Sequence, residues 1–349
     1  MVDVAVVGYS AFATPREARR NEVEMLIPVI DEALAPTGLA KGGMGFVVSG
    51  SSDYLAGQPF AFVNALDAVG AWPPIAESHV EQDGAFALYE AWLRLQHGDI
   101  DTALVYGFGK SSPGDLPRVL ALQMDPYTVT PLWPDSVSLA ALQARLLLED
   151  GVDERQLAEV AARSLTDAVG NPHAIRSGQA TAEELLERPV FADPLRKHDC
   201  APITDGCAAV VLATGDRARE LSERPAWITG IDHRIEPTAI GTRDLTDSPS
   251  TRRAAEEAGV ADGPVDVAEL YAPFSSQELI LRRALGLNAE TRINPSGGAL
   301  VSNPVMAAGL IRIGEAAQRI RDGEADRAIA HATSGPLLQH NLICVLEGR

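Results

Sequence analysis

Cysteine, aromatic residues and basic residues are all sparse in this chain of 349 residues. Its three cysteines, Cys200, Cys207 and Cys344, are too few and too widely spaced for a disulfide framework or a zinc site. Aromatic residues make up 5% of the chain, and 29 Lys and Arg stand against 48 Asp and Glu, for a net charge of −19. A surface this acidic repels nucleic acid and anionic membranes, so we expect neither as a partner.

Long apolar runs and targeting signals are missing as well. No run approaches the roughly 20 residues that a membrane-spanning helix needs. Residues 1–8 are typical of a strand and lack the basic start and small-residue cleavage site of a signal peptide. Hydrophobic residues make up 46% of the chain, which is too many for a disordered protein. We therefore expect a soluble, cytoplasmic protein built from two packed halves.

Strand and helix patterns alternate along the first third of the chain. Strands are predicted at 3–8, 46–48, 74–80 and 102–107, and helices at 20–35, 58–69 and 83–96. This alternation predicts a parallel or mixed sheet covered by helices. The pattern then changes over about 111–205, where turn-rich stretches and amphipathic helices at 137–150 and 154–169 predict a helical insertion without strands. A strand is expected again over 207–213, and the polar segment 216–225 is expected to connect the two halves.

An internal repeat supports two similar halves. Residues 84–109 align without a gap to residues 309–334, and each copy has the pattern of a helix, a turn and a short strand. The identical pairs are Gly84 and Gly309, Glu90 and Glu315, Ala91 and Ala316, Arg94 and Arg319, Gly98 and Gly323, Asp101 and Asp326, and Ala103 and Ala328. We therefore predict two related α/β halves, residues 1–215 with the helical loop region at about 111–205, and residues 226–349.

Short motifs along the chain resemble those of a known family. They are GNPHA at 170–174, FADPLR at 191–196, HDCAPITDGCAAVVLA at 198–213, ELYAPF at 269–274, NPSGG at 294–298, SNPVMAAG at 302–309 and ATSGPLLQHNL at 332–342. Together they resemble the thiolase superfamily, in the branch of sterol-carrier-type thiolases and lipid-transfer-protein homologues. The resemblance implies a five-layered αβαβα fold made of two duplicated halves with a helical loop insertion.

The groups that perform thiolase chemistry have no counterparts here. Glu81 stands where the resemblance places the nucleophilic cysteine of a Cys-x-x-Gly motif, and Tyr271 and Asn303 stand where it places two histidines. The family's second cysteine has no counterpart in residues 333–337. Because a carboxylate is a weak nucleophile toward a thioester, thiolase activity is not expected. Glu81 or Asp83 either takes part in catalysis or caps the following helix, where a negative charge is favourable.

A different reaction fits the residues that remain. Retro-aldol cleavage of a β-hydroxyacyl-CoA needs a base and an oxyanion hole for the CoA enolate, and it needs no thiolate. The resemblance therefore implies a carbon–carbon lyase, with Tyr271 as the base, Asn303 as a donor to the oxyanion or to water, and a sterol-derived acyl group as one option. Since the usual pKa of tyrosine is about 10, Tyr271 needs a lowered pKa or a partner to act as a base near neutrality.

Contacts to the substrate and to other chains are expected from the same resemblance. Ser296, Gly297 and Gly298 are candidates to approach the thioester, and His198, in the basic stretch 196–198, is a candidate contact for the CoA phosphates. We expect no metal and no resident cofactor, because CoA enters as part of the substrate. The resemblance also implies a homodimer and a small OB-fold partner subunit, without which the enzyme could be inactive.

Two further interpretations complete the sequence analysis. The alternative to an enzyme is a non-catalytic subunit that binds acyl-CoA or supports a heteromeric thiolase-like complex. Among the remaining reactive side chains, His331 is expected to be a hydrogen-bonded core residue and Cys207 a core thiol, while Cys200 is expected to be partly exposed.

Overall fold

The computed structural model describes residues 2–348, so the outermost residues of the two predicted halves, Met1 and Arg349, lie outside the described residues. The strands are β1 (Val4–Thr14), β2 (Phe46–Gly50), β3 (Glu77–Val80), β4 (Thr102–Gly109), β5 (Val190–Ala192), β6 (Leu195–Arg196), β7 (Asp205–Thr214), β8 (Ala226–Ile235), β9 (Val267–Leu270), β10 (Arg292–Ile293), β11 (Arg327–Ser334) and β12 (His340–Gly348).

Helices connect these strands. They are α1 (Glu22–Leu34), α2 (Asp53–Ala56), α3 (Ala61–Ala65), α4 (Gly84–Leu95), α5 (Leu116–Leu122), α6 (Ser136–Glu149), α7 (Glu154–Asp167), α8 (Ala182–Leu186), α9 (Gly215–Leu221), α10 (Pro249–Glu257), α11 (Ser275–Ala284) and α12 (Ala308–Arg321). In the described part of the chain, none is both long and apolar enough to cross a membrane.

Two groups of five strands have the same topology. The first has the order β3-β2-β4-β7-β1 and the second the order β10-β9-β11-β12-β8, and they join where β1 pairs with β8 over three residue pairs. In each group the three strands at the outer end run parallel. The remaining two strands are added in antiparallel fashion. Strand order and direction are thus duplicated, as the repeat predicts.

Three hydrophobic cores separate five layers. One core lies between the two strand groups and contains the apolar faces of α4 and α12. A second core lies between the outer face of the first strand group and α1. A third lies between the outer face of the second strand group and helices α10 and α11. Because β4 is buried on both faces, it has a nearly continuous apolar sequence rather than an alternating one. This is the expected αβαβα arrangement.

The repeated segments coincide in detail. Both helices are followed by a glycine in the left-handed region, Gly98 and Gly323, each with a φ of 76°. Such a backbone angle ends a helix with little strain only when the residue has no side chain. The strands that follow, β4 and β11, begin and end at aligned residues.

Two expectations from the sequence are wrong in part. The loop region contains the predicted helices α6 and α7, but also α5, α8 and the short hairpin β5–β6, whose strands are too short to give an alternating pattern. The polar segment 216–225 is not simply a connector, because α9 occupies most of it. Ala218 and Leu221 provide the apolar side of α9 and pack against the outer core.

Candidate active site

A cavity of about 300 Å³ lies where the two halves meet the loop region. Its wall is mostly apolar and is built by α5, α6, the segments before α11 and α12, and the turn between β11 and β12. The titratable side chains among the described lining residues are Asp83, Cys200 and Tyr271, and no Lys, Arg or His of the described chain lines it. A concave, apolar site with a few polar groups is typical of a small-molecule pocket.

Backbone strain is concentrated at this cavity. Six described non-glycine residues have a positive φ, and three of them, Met306, Leu337 and Leu338, line the cavity. Such conformations cost of order 1–3 kcal/mol each and cluster at functional sites. The carbonyl oxygen of Met306 accepts a hydrogen bond of 2.9 Å from the amide of Gly84 at the start of α4. The strained segment is therefore fixed against the first half.

Tyr271 follows β9 and lines the cavity with a nearly buried side chain. Its ring packs with Ala299 and Ala308, and its amide donates to the carbonyl oxygen of His331 at 3.2 Å. Burial, with the negative charge of Asp83, raises the pKa of Tyr271 well above its usual value, and Arg312 opposes this. The lowered pKa that a free base requires is therefore absent, and the phenol stays protonated near neutrality.

Asp83 also lines the cavity, and its carboxylate is fully buried at the ends of two helices. Oδ1 accepts from the amides of Ala85 at 2.9 Å and Leu310 at 3.0 Å, and Oδ2 accepts from the amide of Gly309 at 2.9 Å. Burial raises the pKa of Asp83, while these three amides and Arg312 lower it. The structure thus confirms that Asp83 caps α4, and it shows that the same carboxylate caps α12.

Asn303 lines the cavity near Tyr271, on the segment before α12. Its backbone amide donates to the hydroxyl of Thr204 at 3.0 Å, which holds the segment against β7. Its side-chain oxygen is buried and has no hydrogen-bond partner among the described residues. This oxygen is therefore available to accept a hydrogen bond from a ligand.

Glu81 lies outside the cavity, against the expectation that it could be catalytic. Its side chain is 46% exposed, accepts a hydrogen bond from the amide of Asp53 at 2.7 Å, and lies 3.4 Å from a ring nitrogen of His79. Two residues separate it from α4, so the backbone turns its side chain toward α2 instead.

The glycine pair and Ser296 lie behind the cavity rather than in it. Gly297 and Gly298 have φ values of 91° and 67°. A Cβ on Gly297 would lie 2.8 Å from the Cβ of Ala168, so this turn approaches α7 closely. The Ser296 hydroxyl donates to Glu269 at 2.7 Å within a buried ion pair with Arg312. These residues fix the loop, and the structure does not bring them to the cavity with Tyr271.

His198 lines a second cavity, of about 650 Å³, on the outer side of the loop region. Arg176, Arg188 and Lys197 also line it, and the described lining residues include no acid. Burial lowers the pKa of His198, opposed by Asp199. The neighbouring Arg196 is instead paired with an acidic residue of α7, at 3.0 Å. The second cavity is thus locally basic in an otherwise acidic protein.

The three thiols are all buried. Burial raises the pKa of Cys200 to about 12, and it raises the pKa values of Cys207 and Cys344 further. Cys200 lines the cavity but is only 7% exposed, so the expected partial exposure is wrong. Since the thiolate is the nucleophile, these cysteines are not suited to attack a substrate.

Sequence reasoning missed two parts of the site. The first is the apolar wall from the loop region, for which the amphipathic pattern of α6 was the available signal. The second is the bond from Asp83 to the start of α12, far away in sequence. The repeat was a signal for this contact, because it places the two helix starts at equivalent positions.

Comparisons with known proteins agree with this architecture. No protein-family model matches the chain. It is similar to acetyl-CoA acetyltransferase of Methanothermobacter thermautotrophicus, with 27% identity over 77% of each chain. It is also similar to sterol carrier protein 2 of Gallus gallus, with 25% identity over 98% of this chain and 69% of that protein.

Two solved structures share the fold over nearly their whole length. One is described as an Ltp2-ChsH2(DUF35) aldolase, with a TM-score of 0.83, 19% identity and coverage of 99% of this chain and 98% of that one. The other is human mitochondrial 3-ketoacyl-CoA thiolase, with a TM-score of 0.79, 16% identity and 99% coverage of both chains. The chain thus has the fold of the thiolase superfamily and sequence similarity to members of it, and it lacks a cysteine at both positions where the family resemblance places one.

Proposed function

We propose that this protein is a thiolase-fold lyase that cleaves a β-hydroxyacyl-CoA by a retro-aldol reaction. One observation carries the proposal: a single apolar cavity contains Tyr271 and Asn303, while every thiol is buried with a raised pKa. An aldol cleavage needs proton transfer and stabilisation of an enolate, and neither step requires a thiolate. Several relatives act on CoA thioesters by name, which supports the substrate class.

The protonated phenol of Tyr271 suits a proton relay better than a free base. The β-hydroxyl proton passes to the phenol oxygen while the phenol's own proton passes to Cα. The electrons of the broken Cα–Cβ bond form the new Cα–H bond, and those of the hydroxyl O–H bond form the carbonyl. Tyr271 ends the cycle as it began, so no phenolate accumulates and a raised pKa is compatible with turnover.

Asn303 is proposed to stabilise the charge that develops on the thioester oxygen. Its side chain lines the same cavity, its Oδ1 has no hydrogen-bond partner among the described residues, and its Nδ2 is the group proposed to donate to the thioester oxygen. A donor aimed at an oxyanion in an apolar site is worth about 3 kcal/mol of transition-state stabilisation. The bond from the backbone amide of Asn303 to Thr204 holds this segment in place beside the cavity.

The apolar wall favours a bulky, apolar acyl group, and a sterol-derived one is our proposed example. The described lining residues supply no cation for the phosphates of CoA, so these must lie elsewhere. Residues 197–201 connect the two cavities, since Lys197 and His198 line the basic one and Cys200 and Ala201 line the apolar one. We propose that the phosphates contact the basic cavity, with His198 as one neighbour.

Two assemblies belong to the proposal. β3 lies at the outer end of the first strand group, where an edge strand is free to pair with a second copy, and this supports a homodimer. The aldolase of similar fold is described together with a DUF35 chain, which supports a small OB-fold partner.

The test is release of a carbonyl product from a β-hydroxyacyl-CoA, with and without the partner subunit. We expect Tyr271→Phe to lower the rate by a factor of 10² to 10⁴ with little change in the free energy of unfolding. Tyr127→Phe is the matched control, because Tyr127 is 88% exposed and lies outside the cavity. Full activity of Tyr271→Phe, or no carbonyl product under any condition, would overturn the proposal.

A second candidate is a non-catalytic subunit that binds acyl-CoA. The observation in its favour is that Tyr271 stays protonated and that the carboxylate of Asp83 is engaged by three amides, so the cavity has no free base. A heteromeric complex whose activity survives simultaneous changes at Glu81, Tyr271 and Asn303 would favour this candidate.

A further inference from the structure

One carboxylate serves two helices at the centre of the molecule. The side chain of Ala307, which precedes α12, offers no cap, and the amides of Gly309 and Leu310 bind the carboxylate of Asp83 from the other half instead. The amide of Gly84 in turn donates to the carbonyl oxygen of Met306. The start of each helix is therefore held by the other half.

The duplication breaks at this point. In the repeat alignment, Asp83 corresponds to Ala308. Ala308 is buried and packs against the ring of Tyr271. A methyl group thus makes room for the phenol in the second half, while the carboxylate of the first half supplies the charge for both helix ends.

We propose that Asp83 is a positioning residue for the reaction proposed above, fixing a single negative charge beside Tyr271 so that the phenol keeps its proton until a substrate hydroxyl replaces it. The inference rests on the proposed function for its catalytic consequence. The link between Asp83 and Tyr271 rests on geometry: both line one cavity, and Ala308, which packs on Tyr271, directly precedes the amides that bind Asp83.

No other charged group described near Tyr271 provides the negative charge that we assign to Asp83. Arg312 on α12 is the nearby cation, but its Nη1 donates to Glu269 at 2.8 Å, and this pair is largely self-neutralising. The remaining titratable group of the cavity is the thiol of Cys200, which is neutral near pH 7 because burial raises its pKa to about 12. The carboxylate of Asp83 is therefore the one acidic group among the described residues that line this cavity with Tyr271.

The experiment places 3,5-difluorotyrosine at position 271, by nonsense suppression, and follows its ionisation by ¹⁹F NMR. The fluorinated phenol is more acidic than tyrosine, which brings the titration within the pH range where proteins stay folded. We expect Asp83→Asn to lower the pKa of this phenol by at least one unit, a tenfold change in proton affinity. Asp153→Asn is the matched control, because Asp153 caps α7 far from the cavity, and it should leave the pKa unchanged.

A second variant separates the loss of the charge from the loss of the helix cap. Asp83→Ser keeps a hydroxyl that can accept a hydrogen bond but removes the charge, so a shift shared by both variants reports the charge. An unchanged pKa in either folded variant would overturn the inference. The titration needs no substrate, so it is separate from the proposed function. If the pKa shifts but no β-hydroxyacyl-CoA is cleaved, the charge effect stands and the proposed function fails.

Discussion

The two halves have the same framework and differ where the chemistry lies. Strand order, strand direction and the helix that begins at the cavity are repeated. At equivalent positions the first half has Asp83 and the second has Ala308, and Tyr271 occupies the space beside the alanine. The comparison teaches that the duplicated scaffold supplies stability and orientation, while the proposed reaction depends on departures from the repeat.

Close packing at the paired helix starts shows the same asymmetry. A Cβ on Gly84 would lie 2.9 Å from the flexible end of Leu310 and 3.1 Å from the Cα of Gly107. A Cβ on the equivalent Gly309 would lie 2.6 Å from both the Cβ of Ala332 and Oδ1 of Asp83. The second half is therefore the more tightly constrained, because the carboxylate it shares leaves no space.

Giving the second half the aspartate that the first half has at the equivalent position should have the largest effect on stability. Ala308→Asp would place a second buried carboxylate near Asp83 without free amides to bind it. We expect the free energy of unfolding to fall by about 4 kcal/mol, as for an uncompensated buried charge. Urea denaturation measures this.

Two variants isolate the charge in that experiment. Ala308→Asn adds the same volume without the charge and should cost clearly less. Combining Ala308→Asp with Asp83→Ala should recover part of the loss, because one carboxylate then remains for the two helix ends. If Ala308→Asp and Ala308→Asn are equally destabilised, repulsion between the halves is not the cause.

A smaller difference between the halves should appear on acidification. His331 of β11, aligned with Tyr106 of β4, is fully buried, and burial lowers its pKa to about 4. The unfolded chain, in which histidine has a pKa near 6.5, then binds more protons between pH 6.5 and 4. The contribution of His331 to stability is therefore complete above pH 6.5 and is lost as the pH drops, by about 3 kcal/mol in total.

Removing the imidazole of His331 should remove its share of the slope, while His340, whose pKa burial also lowers to about 4, keeps its own share. We expect His331→Gln to flatten the decline of unfolding free energy between pH 6.5 and 4, whatever it costs at neutral pH. His97→Gln serves as the control, because His97 is exposed and should leave the slope as it is. An unaltered slope in His331→Gln would show that other groups cause the acid lability.

The smallest of these effects concerns the close packing of Gly309 against Asp83 and Ala332. Gly309→Ala should lower the free energy of unfolding by about 2 kcal/mol, because the added methyl displaces Asp83 or Ala332. Gly42→Ala is the control, since a Cβ there meets no atom within 4 Å. Chemical denaturation of both variants decides the point, and equal stability would contradict the close approach.

The sequence was sufficient to predict most of the framework. The repeat predicts α4, α12, β4 and β11 because it combines helical periodicity with a glycine that ends each helix. The sequence also gives capping as one of two interpretations for Glu81 or Asp83, and Asp83 does cap α4. It predicts that His331 is a hydrogen-bonded core residue, which the 2.9 Å contact with Asn341 confirms. These features are local, or follow from the pattern of burial.

The arrangement of the site was harder to predict, because it depends on contacts between distant segments. Glu81 lies only three positions before the first residue of α4, yet its side chain accepts a hydrogen bond from the amide of Asp53 instead of facing the cavity. The strongly raised pKa of Tyr271 depends on burial and on the charge of Asp83, which is distant in sequence, and a motif does not encode either. The position of Ser296 to Gly298 behind the cavity results from the buried network around Glu269.

The central claim is that a cavity without a reactive thiol breaks a carbon–carbon bond with the proton relay at Tyr271. The most direct measurement is mass spectrometry of the CoA product after incubation of a β-hydroxyacyl-CoA in D₂O. The account predicts a shortened acyl-CoA with one deuterium at Cα, an equal amount of carbonyl product, and at least a hundredfold loss in Tyr271→Phe. An intact substrate with or without the partner subunit, or equal deuterated product from Tyr271→Phe, would contradict it.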